Sequence, residues 1–411
     1  MNWSIFIAKK IIATSQQSFS RFIIRLAIVA TSISVAAMIV TLCLVNGFQD
    51  TISKKIFSFW GHIHVQAYNQ GKSVTAEELP FDETPGLKQK IMAEKDVAHV
   101  QVFATKSAIL KKQEGFEGVV LKGISTDFDW GIFSHFLQKG KPLDFSDSLY
   151  SHQLIISKKT ADKLELNVND SLMLYFLRGQ DNFQFRKMKI AGIFETGIDE
   201  YDNSFALADI RLLRKMNLWD STKIGGYEIW VKNMEPENLK ITSDKIFSML
   251  PDGLNSLTIR QQYPNIFDWL DVQHKTKWIV VVLMGIVASI NLITCLLILV
   301  LERTRMVGLL QSVGAGNLSI QRIFLYYASY ISLQGLFWGA LLGLGICTVE
   351  YLTHIIPMDQ DTYYIAYVPI YFNWLQISIV LAATALVCFL VLIVPSYLVT
   401  KITPIKALRF Q

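Results

Sequence analysis

Two short clusters of polar residues contain side chains of the kinds that bind nucleotides or metal ions. Gly71-Lys72-Ser73 resembles the end of a phosphate-binding loop, but Gln66 stands where that loop needs its first glycine. His62 and His64 are spaced so that they could share one face of a strand and hold a metal ion. Because no third ligand lies nearby in the sequence, we favour histidines that are satisfied at a surface or an interface. Neither cluster predicts a functional site.

A third cluster, Asp199, Glu200 and Asp202, could act as paired carboxylates or as calcium ligands. It follows a strand-like run punctuated by glycine, and this context favours a structural turn. The chain contains no HExxH or GxSxG motif and no cluster of cysteine and histidine. The sequence therefore predicts no catalytic residue, no metal site and no cofactor bound by this chain.

The composition indicates a membrane protein. Of the 411 residues, 51% are hydrophobic and only 18% are charged, and the mean hydropathy is +0.33. The apolar residues are concentrated in four blocks, each long enough to cross a bilayer, which takes about 20 residues. The net charge of +5 is explained by basic residues that flank the blocks, so we expect no nucleic acid partner. All the cysteines fall inside the blocks, which leaves none for a disulfide or zinc site elsewhere: Cys43, Cys295, Cys347 and Cys388.

The four blocks predict four transmembrane helices, at residues 22–47, 277–301, 323–349 and 375–399. Basic residues lie in the flanking segments 1–21, 302–322 and 400–411, whereas Tyr351–Trp374 contains no lysine or arginine. By the positive-inside rule, both termini and residues 302–322 are cytoplasmic, and residues 48–275 and 350–374 lie on the other side of the membrane.

The N-terminal segment 1–21 mixes Lys9 and Lys10 with bulky apolar residues. This pattern is typical of an amphipathic helix on the cytoplasmic membrane surface. We expect its basic residues to fix the orientation of the first span and to need no further role.

Residues 48–275 predict a large α+β domain inserted between the first and second spans, with enough residues to bury its own core. Alternating or continuous apolar runs predict strands at 119–124, 154–157, 171–176 and 188–194. Helical periodicity predicts helices at 158–164 and 208–216.

Two features of the span region predict contacts. Glu302–Gly316 is charged at its start, has apolar residues one turn apart and closes on glycine, which predicts a short amphipathic helix at the membrane surface. The alternative is an ordinary loop whose arginines only set topology. In the third span, Gly335, Gly339 and Gly343 recur every four residues, which predicts a helix-packing seam rather than the alternative, a channel lined by glycine.

Several motifs resemble one family. ERTRxxGLLxxxGA, from Glu302 to Ala315, followed by Ile320–Phe324, resembles the intracellular segment of FtsX/MacB-type ABC transporter permeases. Other motifs resemble the lipoprotein-releasing LolC/LolE branch: FIAxK near the start, NGF at the end of the first span, HIxV soon after it, GIFExGxxEYD from Gly192 to Asp202, and PxxALR near the end. The resemblance covers all four spans and most of the inserted domain.

The resemblance implies a multi-pass permease of the cell inner membrane, with a periplasmic inserted domain. Its partners would be a cytoplasmic ABC ATPase dimer, which binds the ATP and Mg, and a second permease copy or a paralogue. The cargo would be a lipoprotein, extracted from the outer leaflet for transfer toward the outer membrane. The alternative is a mechanotransmission permease that drives a periplasmic partner without moving lipid. The family motif implies eight residues that couple to the ATPase: Glu302, Arg303, Thr304, Arg305, Gly308, Leu310, Gly314 and Ala315.

Family architecture also implies an acyl-chain path between the first two spans, near Val40, Leu44, Met284 and Val287. One branch subunit grasps a periplasmic lipoprotein chaperone with a protruding loop before the GIFE motif. Here that connection is only Arg178–Asn182, around Gly179, which is hairpin length. The chain therefore resembles the subunit that lacks the loop. A periplasmic lipoprotein chaperone stays a candidate partner, but the short connection leaves open whether it docks here.

Overall fold

A computed structural model describes residues 18–68, 77–113, 115–178 and 182–398. Several predicted features lie outside the described residues: residues 1–17 of the N-terminal segment, Gly71-Lys72-Ser73, the connection at Gly179 and the C-terminal tail 400–411. The chain divides into two compact units. The first comprises the described residues up to Asp50, Leu270–Pro357 and those from Val368 onward. The second comprises Thr51–Trp269 and Met358–Tyr367.

In chain order, the helices are α1 (Ser18–Trp60), α2 (Leu87–Met92), α3 (Trp130–Phe133), α4 (Lys158–Lys163), α5 (Asp199–Ser204), α6 (Ile210–Asn217), α7 (Pro236–Phe247), α8 (Ile259–Gln262), α9 (Pro264–Glu302), α10 (Thr304–Ser312), α11 (Asn317–Thr353), α12 (Gln360–Tyr363) and α13 (Trp374–Leu398). The strands are β1 (Ile63–Ala67), β2 (Phe81–Asp82), β3 (Val97–Lys112), β4 (Gly115–Ile124), β5 (Leu137–Gly140), β6 (Gln153–Ser157), β7 (Ser171–Arg178), β8 (Asn182–Phe194), β9 (Phe205–Asp209), β10 (Lys223–Ile224), β11 (Gly226–Val231) and β12 (Leu254–Thr258).

Four helices of the described chain, α1, α9, α11 and α13, are long and apolar enough to cross a membrane. The first three extend well beyond the predicted spans, because flanking polar residues do not by themselves stop a helix. Their ends carry specific stop signals. Gly61, with φ +76°, follows α1, and its amide donates to the Phe57 carbonyl at 2.8 Å. His354 adopts the left-handed conformation after α11, and its amide donates to the Glu350 carbonyl at 2.8 Å.

In the second unit, ten of the described strands form one mixed sheet in the order β12-β1-β11-β3-β4-β9-β6-β8-β5, with β7 off this path, and β2 pairs with β10 in a separate two-stranded sheet. The β4–β9 and β6–β8 pairs are parallel. Strand β7 pairs with both β3 and β8, so the pairing closes through β3, β4, β9, β6, β8 and β7. Among the described strands, β12 pairs only with β1 and β5 only with β8, so these two remain edge strands outside the closed part of the sheet.

Aromatic rings from the end of α1 occupy the core of this unit. Phe59 stacks on Tyr201 with 4.9 Å between ring centroids and lies 6.2 Å from Phe194. Trp60 meets Phe205 edge-on at 5.1 Å. Since burying one such ring contributes roughly 1.5–3 kcal/mol, this cluster ties the last turn of α1 to the sheet.

The structure confirms the strands predicted from alternation, which appear as β4, β6, β7 and β8, and the helix predicted at 158–164, which appears as α4. The helix predicted at 208–216 begins only at Ile210, as α6. Ala208 and Asp209 instead end β9, and the Asp209 carboxylate accepts the Arg211 amide at 2.8 Å as the helix cap.

Residues 350–374, predicted as a short loop, are more structured than expected. Met358–Tyr367 belongs to the compact unit that contains the sheet. Lys55 Nζ donates to the Tyr364 carbonyl at 2.9 Å, which fixes this segment to residues far away in sequence. The alternation or helical periodicity of apolar residues cannot reveal that this segment packs on the sheet unit, because its contacts follow no regular spacing.

Candidate functional site

The short helix α10 lies between the long helices α9 and α11, and glycine sets its end. Gly314, with φ +93°, follows the helix, and the Ala315 amide donates to the Leu310 carbonyl at 2.9 Å. Few residues other than glycine adopt this backbone conformation without strain. Gly316 then precedes α11. The predicted amphipathic helix and its glycine stop are therefore present.

One face of α10 packs against the long helices. Val307 and Gly308 are buried, and Met306, Leu310 and Ala315 pack at the edge of the same cluster. That cluster includes residues of α9 and α11: Leu292, Cys295, Leu296, Leu299, Val300, Ile320, Phe324, Tyr327, Ala328 and Ile331. This face fixes the position of α10 at the end of the bundle.

The opposite face of α10 is exposed and largely apolar. Leu309 is 55% exposed, Val313 87% and Leu318, at the start of α11, 68%. Arg305 is also exposed, and because it lies four residues before Leu309, it is on the same face of the helix. An apolar surface rimmed by a basic side chain has the composition of a protein-binding site.

The predicted coupling residues divide between these two faces. Arg305 and Gly314 are exposed, whereas Gly308 is buried and Leu310 and Ala315 pack inward. Glu302, Arg303 and Thr304 are half-buried at the junction with α9, where the Thr304 hydroxyl donates to the Leu301 carbonyl at 3.0 Å. The motif did not identify Leu309, Val313 and Leu318 as surface residues. The spacing of four residues from Arg305 through Leu309 to Val313 places these three on one helix face and could have identified that face from the sequence.

Three of the four glycines of α11, Gly335, Gly339 and Gly343, lie directly against α1. A Cβ on Gly339 would stand 2.6 Å from the Val35 Cβ and 2.7 Å from the Ser32 carbonyl oxygen, and one on Gly335 would stand 2.8 Å from the Thr31 side chain. The Ser32 hydroxyl donates to the Gly335 carbonyl at 3.0 Å. A Cβ on Gly343 would meet Ile39 and Ala36 at 3.0–3.1 Å. Such close backbone approach leaves no room for a channel along this line.

The four residues of the predicted acyl path have different packing neighbours. Met284 packs against a cluster formed by Met38, Leu42, Val281 and Val380. Val40 packs against a different cluster, which includes Ile39, Cys43, Leu336, Cys347 and Ile377. Leu44 is half-buried, and Val287 is 38% exposed. The structure therefore brings Met284 against α1 but turns Val40 toward α11.

The two histidines of the opening clusters are buried inside the sheet unit, so the interpretation as surface or interface histidines is wrong. His62 precedes β1, and its Nδ1 accepts the Val231 amide at 3.0 Å. Burial lowers the pKa of His62 to about 4, which keeps the ring neutral at pH 7. His64 Nε2 lies 2.7 Å from the Trp60 carbonyl oxygen. Both rings therefore contact backbone groups.

A buried ion pair lies beside His64. Lys122 Nζ lies 2.7 Å from Glu228 Oε1, and the two side chains are 1% and 0% exposed. Lys122 also donates to the Phe59 carbonyl, and its ammonium stands 4.5 Å from the centroid of the Trp60 ring. Gln101 Nε2 donates to Glu228 Oε2 at 2.7 Å. Burial raises the pKa of Glu228 to about 7, although Lys122 opposes the shift. The network joins the last carbonyls of α1 to three strands.

The carboxylates at 199–202 have structural contacts, as the sequence context favours, but they lie in the short helix α5 and not in a turn. The Asp202 carboxylate accepts the amides of Thr196 and Gly197, both at 2.9 Å, and the Thr196 hydroxyl at 2.8 Å. Asp199 pairs with Lys159. Across the described residues, no group of three or more His, Cys, Asp or Glu side chains could hold a metal ion.

Two protein-family models match the chain. The MacB-like periplasmic core domain matches residues 26–246, which is more than half of the chain. The FtsX-like permease C-terminal model matches residues 278–404, which include α10 and its glycine stop. The chain belongs to the FtsX/MacB-type ABC transporter permease family.

Within this permease family, relatives from the lipoprotein-releasing branch match nearly the whole chain. The lipoprotein-releasing system transmembrane protein LolC of Xylella fastidiosa (strain Temecula1) is 21% identical, over 97% of this chain and 96% of the relative. LolC of Buchnera aphidicola subsp. Schizaphis graminum is 24% identical, over 95% of this chain and 94% of the relative. LolE of Haemophilus influenzae is 21% identical, over 92% of each. The permease thus aligns with both named subunits of that system.

Solved structures similar to this permease include two external domains from transporters. The extracellular domain of the noncanonic ABC-type transporter YknZ from Gram-positive bacteria covers 47% of this chain and 98% of its own, with 16% identity and a TM-score of 0.34. The periplasmic region of MacB from Actinobacillus actinomycetemcomitans matches 50% of this chain over 91% of its own length, with 10% identity and a TM-score of 0.36.

Proposed function

We propose that this chain is a permease subunit that couples ATP hydrolysis on a separate ATPase to extraction of lipoproteins from the outer leaflet of the cell inner membrane. The observation that carries the proposal is the match to the LolC and LolE relatives, because it runs through the long helices, α10 and the sheet domain together. The cargo would then pass toward the outer membrane.

The proposed membrane topology follows from the distribution of lysine and arginine along the chain. Both termini and the α10 connection lie in the cytoplasm, and the sheet domain lies in the periplasm. The spans cross at about 22–47, 277–301, 323–349 and 375–399, within α1, α9, α11 and α13. A second copy or a paralogue completes the permease pair.

The energetic problem of this reaction is the lipid. Each CH₂ of an acyl chain costs roughly 0.8 kcal/mol to expose to water. Extraction therefore needs a sheltered apolar path and an external energy source. ATP and Mg on an ATPase dimer supply the energy. We place the path between α1 and α9, near Val40, Leu44, Met284 and Val287; of these, Val287 is 38% exposed.

Reconstitution tests the proposal directly. The permease and its ATPase are placed in vesicles with a fluorescent triacylated lipoprotein, and release into the aqueous phase is measured with ATP and with a non-hydrolysable analogue. We expect release only with ATP, of protein whose acyl chains are intact by mass spectrometry. Normal ATPase activity with no release at all would reject lipoprotein extraction and favour mechanotransmission to a periplasmic partner.

A further prediction concerns the exposed face of α10, which we propose as the ATPase contact. Leu309→Asp combined with Val313→Asp should lower permease-dependent ATPase stimulation at least tenfold, because buried apolar side chains at an interface centre each contribute about 1–3 kcal/mol. The double variant Arg303→Glu with Arg305→Glu should also lose the stimulation of ATPase activity by the permease. ATPase rates of reconstituted complexes, with membrane insertion checked by protease protection, provide the measurement.

The matched control is Ile355→Asp combined with Ile356→Asp, which places the same two charges on exposed apolar residues just after the other end of α11. We expect this variant to keep normal stimulation. Equal loss in both variants would show that added charge harms the permease generally, and the assignment of α10 would then be withdrawn.

A further inference from the structure

Three polar side chains lie together at the outer end of α1, α9 and α13, and nothing in the proposed transport cycle uses them. The Lys277 ammonium of α9 donates to Asn46 Oδ1 of α1 at 2.8 Å. Asn46 Nδ2 in turn donates to Gln376 Oε1 of α13 at 2.8 Å. We call these three residues the polar layer. Its two hydrogen bonds join three of the four predicted spans.

An apolar layer lies one helical turn farther into the spans. Leu42, Val281 and Val380 each stand four residues from a member of the polar layer, and all three are buried in one cluster with Met38. Met284, a residue of the proposed acyl path, packs against this cluster. Leu42 is 0% exposed, so α1 and α9 are closed against each other at this level. Acyl chains can enter between α1 and α9 from the outer end only if both layers separate.

The polar layer contains a charge that the described residues do not balance. Lys277 is 1% exposed, and no carboxylate of a described residue forms an ion pair with its ammonium. Its other polar neighbour is His274, whose Nδ1 stands 3.5 Å away. Partial burial and the Lys277 charge lower the pKa of His274, so this ring is neutral at pH 7 and offsets no charge. A lysine near the end of a transmembrane helix usually extends toward water, whereas this one turns inward to an amide oxygen.

Burying this ammonium costs free energy, because one hydrogen bond to an amide replaces only part of its hydration and no opposite charge offsets the rest. Opening the polar layer returns the ammonium to water or to lipid headgroups and recovers that cost. The closed polar layer is therefore held weakly, and the apolar layer behind it supplies the attraction between the helices. A permanent clamp would need no charge here, since apolar side chains of similar volume often replace buried charged groups without loss of stability.

We propose that the polar layer is the outer gate of the acyl path, and that the unbalanced charge of Lys277 makes this gate easy to open. When α1 and α9 separate, the ammonium leaves Asn46 Oδ1 and donates to the ester and amide carbonyl oxygens that link acyl chains to a lipoprotein. These oxygens are neutral acceptors like Asn46 Oδ1, so the exchange loses no hydrogen bond of Lys277. That acyl chains are what passes rests on the proposed function, whereas the opening of the layer does not.

A reversible cross-link tests whether the gate must open. Asn46→Cys with Lys277→Cys is reconstituted with the ATPase and treated with a bis-methanethiosulfonate whose spacer matches the two side chains that it replaces. We expect lipoprotein release to fall at least tenfold and to return when a reductant cleaves the link. The controls are treated Lys277→Cys and the treated unchanged protein, whose own cysteines are buried, and both should keep at least half of their release. Undiminished release from a fully cross-linked pair would overturn the proposal.

The sign of a second effect distinguishes a gate from a clamp. Lys277→Met with Asn46→Leu replaces the bonded pair by apolar side chains. For a gate we expect an unfolding midpoint that is unchanged or higher, together with release lowered at least fivefold, because the closed state no longer buries a charge. Lys275→Met removes an exposed lysine two residues away and should change release less than twofold. A lower midpoint in the double variant, with release unchanged or raised, would show that Lys277 and Asn46 only hold the helices together.

The yield of cross-linking separates the gate from the proposed function. In the double-cysteine variant this yield falls when residues 46 and 277 move apart, and it can be measured whether or not cargo is released. We expect a triacylated lipoprotein to lower the yield at least threefold, and the same protein without its acyl chains to leave it unchanged. Release by the unchanged protein, with a yield that no lipoprotein alters, would overturn the gate alone. A lowered yield with no release would support the gate and reject lipoprotein extraction.

Discussion

Replacing Lys122 with methionine should lower the stability of the sheet unit by about 3–5 kcal/mol, since it leaves a buried carboxyl group without its counter-charge. Glu228 is fully buried, and without Lys122 it keeps the Gln101 amide at 2.7 Å and His64 Nε2 at 3.8 Å as neighbours. The variant also deprives the Phe59 carbonyl at the end of α1 of a donor. Native-state hydrogen exchange of the β11 amides in the full-length protein measures the change as a free energy of opening.

Two controls distinguish the buried charge from a general loss of lysine. Lys122→Met combined with Glu228→Leu removes both charges, and most of the lost stability should return, because apolar side chains of similar volume often replace a buried ion pair without cost. Lys163→Met breaks the exposed pair with Glu117, whose side chains are 49% and 23% exposed, and should cost less than about 1 kcal/mol. Equal effects for Lys163→Met and Lys122→Met would show that the buried pair has no special role.

The sequence could not reveal this ion pair, although it predicted the strands that carry it. Lys122 alternates with apolar residues in β4, a pattern that normally indicates a solvent-facing position. Its partner, Glu228, lies opposite His64 on one side and Gln101 on the other, through the pairing of β11 with β1 and β3. That register joins segments more than a hundred residues apart, and no local pattern encodes it. The same long-range pairing buries His64.

Local patterns succeeded where a single element determines the outcome. The four apolar helices, the strands β4, β6, β7 and β8, and the glycine stop after α10 each depend on a few neighbouring residues. The patterns failed where two elements meet. Glycine spacing in α11 predicted a seam, but α1 is apolar on nearly every side, so its contact face at Thr31, Val35 and Ile39 became visible only in the structure.

The seam predicts the second large effect. Gly339→Ala should destabilise the packing of α1 on α11 by about 1–3 kcal/mol, because the new Cβ would lie 2.6 Å from the Val35 Cβ and 2.7 Å from the Ser32 carbonyl oxygen. Gly339→Leu should prevent the native packing. The thermal unfolding midpoint of the detergent-purified protein measures both changes. Gly345→Ala is the matched control on the same helix: a Cβ there meets no atom within 4 Å, and alanine favours a helix by about 1 kcal/mol over glycine.

The identity of the clashing atoms gives a second expectation in addition to the loss of stability. A Cβ and a backbone oxygen are present whatever side chain occupies residues 35 and 32, apart from glycine at 35. Trimming the neighbour, as in Gly339→Ala with Val35→Ala, should therefore not restore the unfolding midpoint, whereas a clash with side-chain ends would be relieved. The helices can accept the new methyl group only by moving apart, which would also break the 3.0 Å hydrogen bond from Ser32 to the Gly335 carbonyl. Restoration of the midpoint by Val35→Ala would show that the α1 and α11 backbones do not approach as closely as the structure places them.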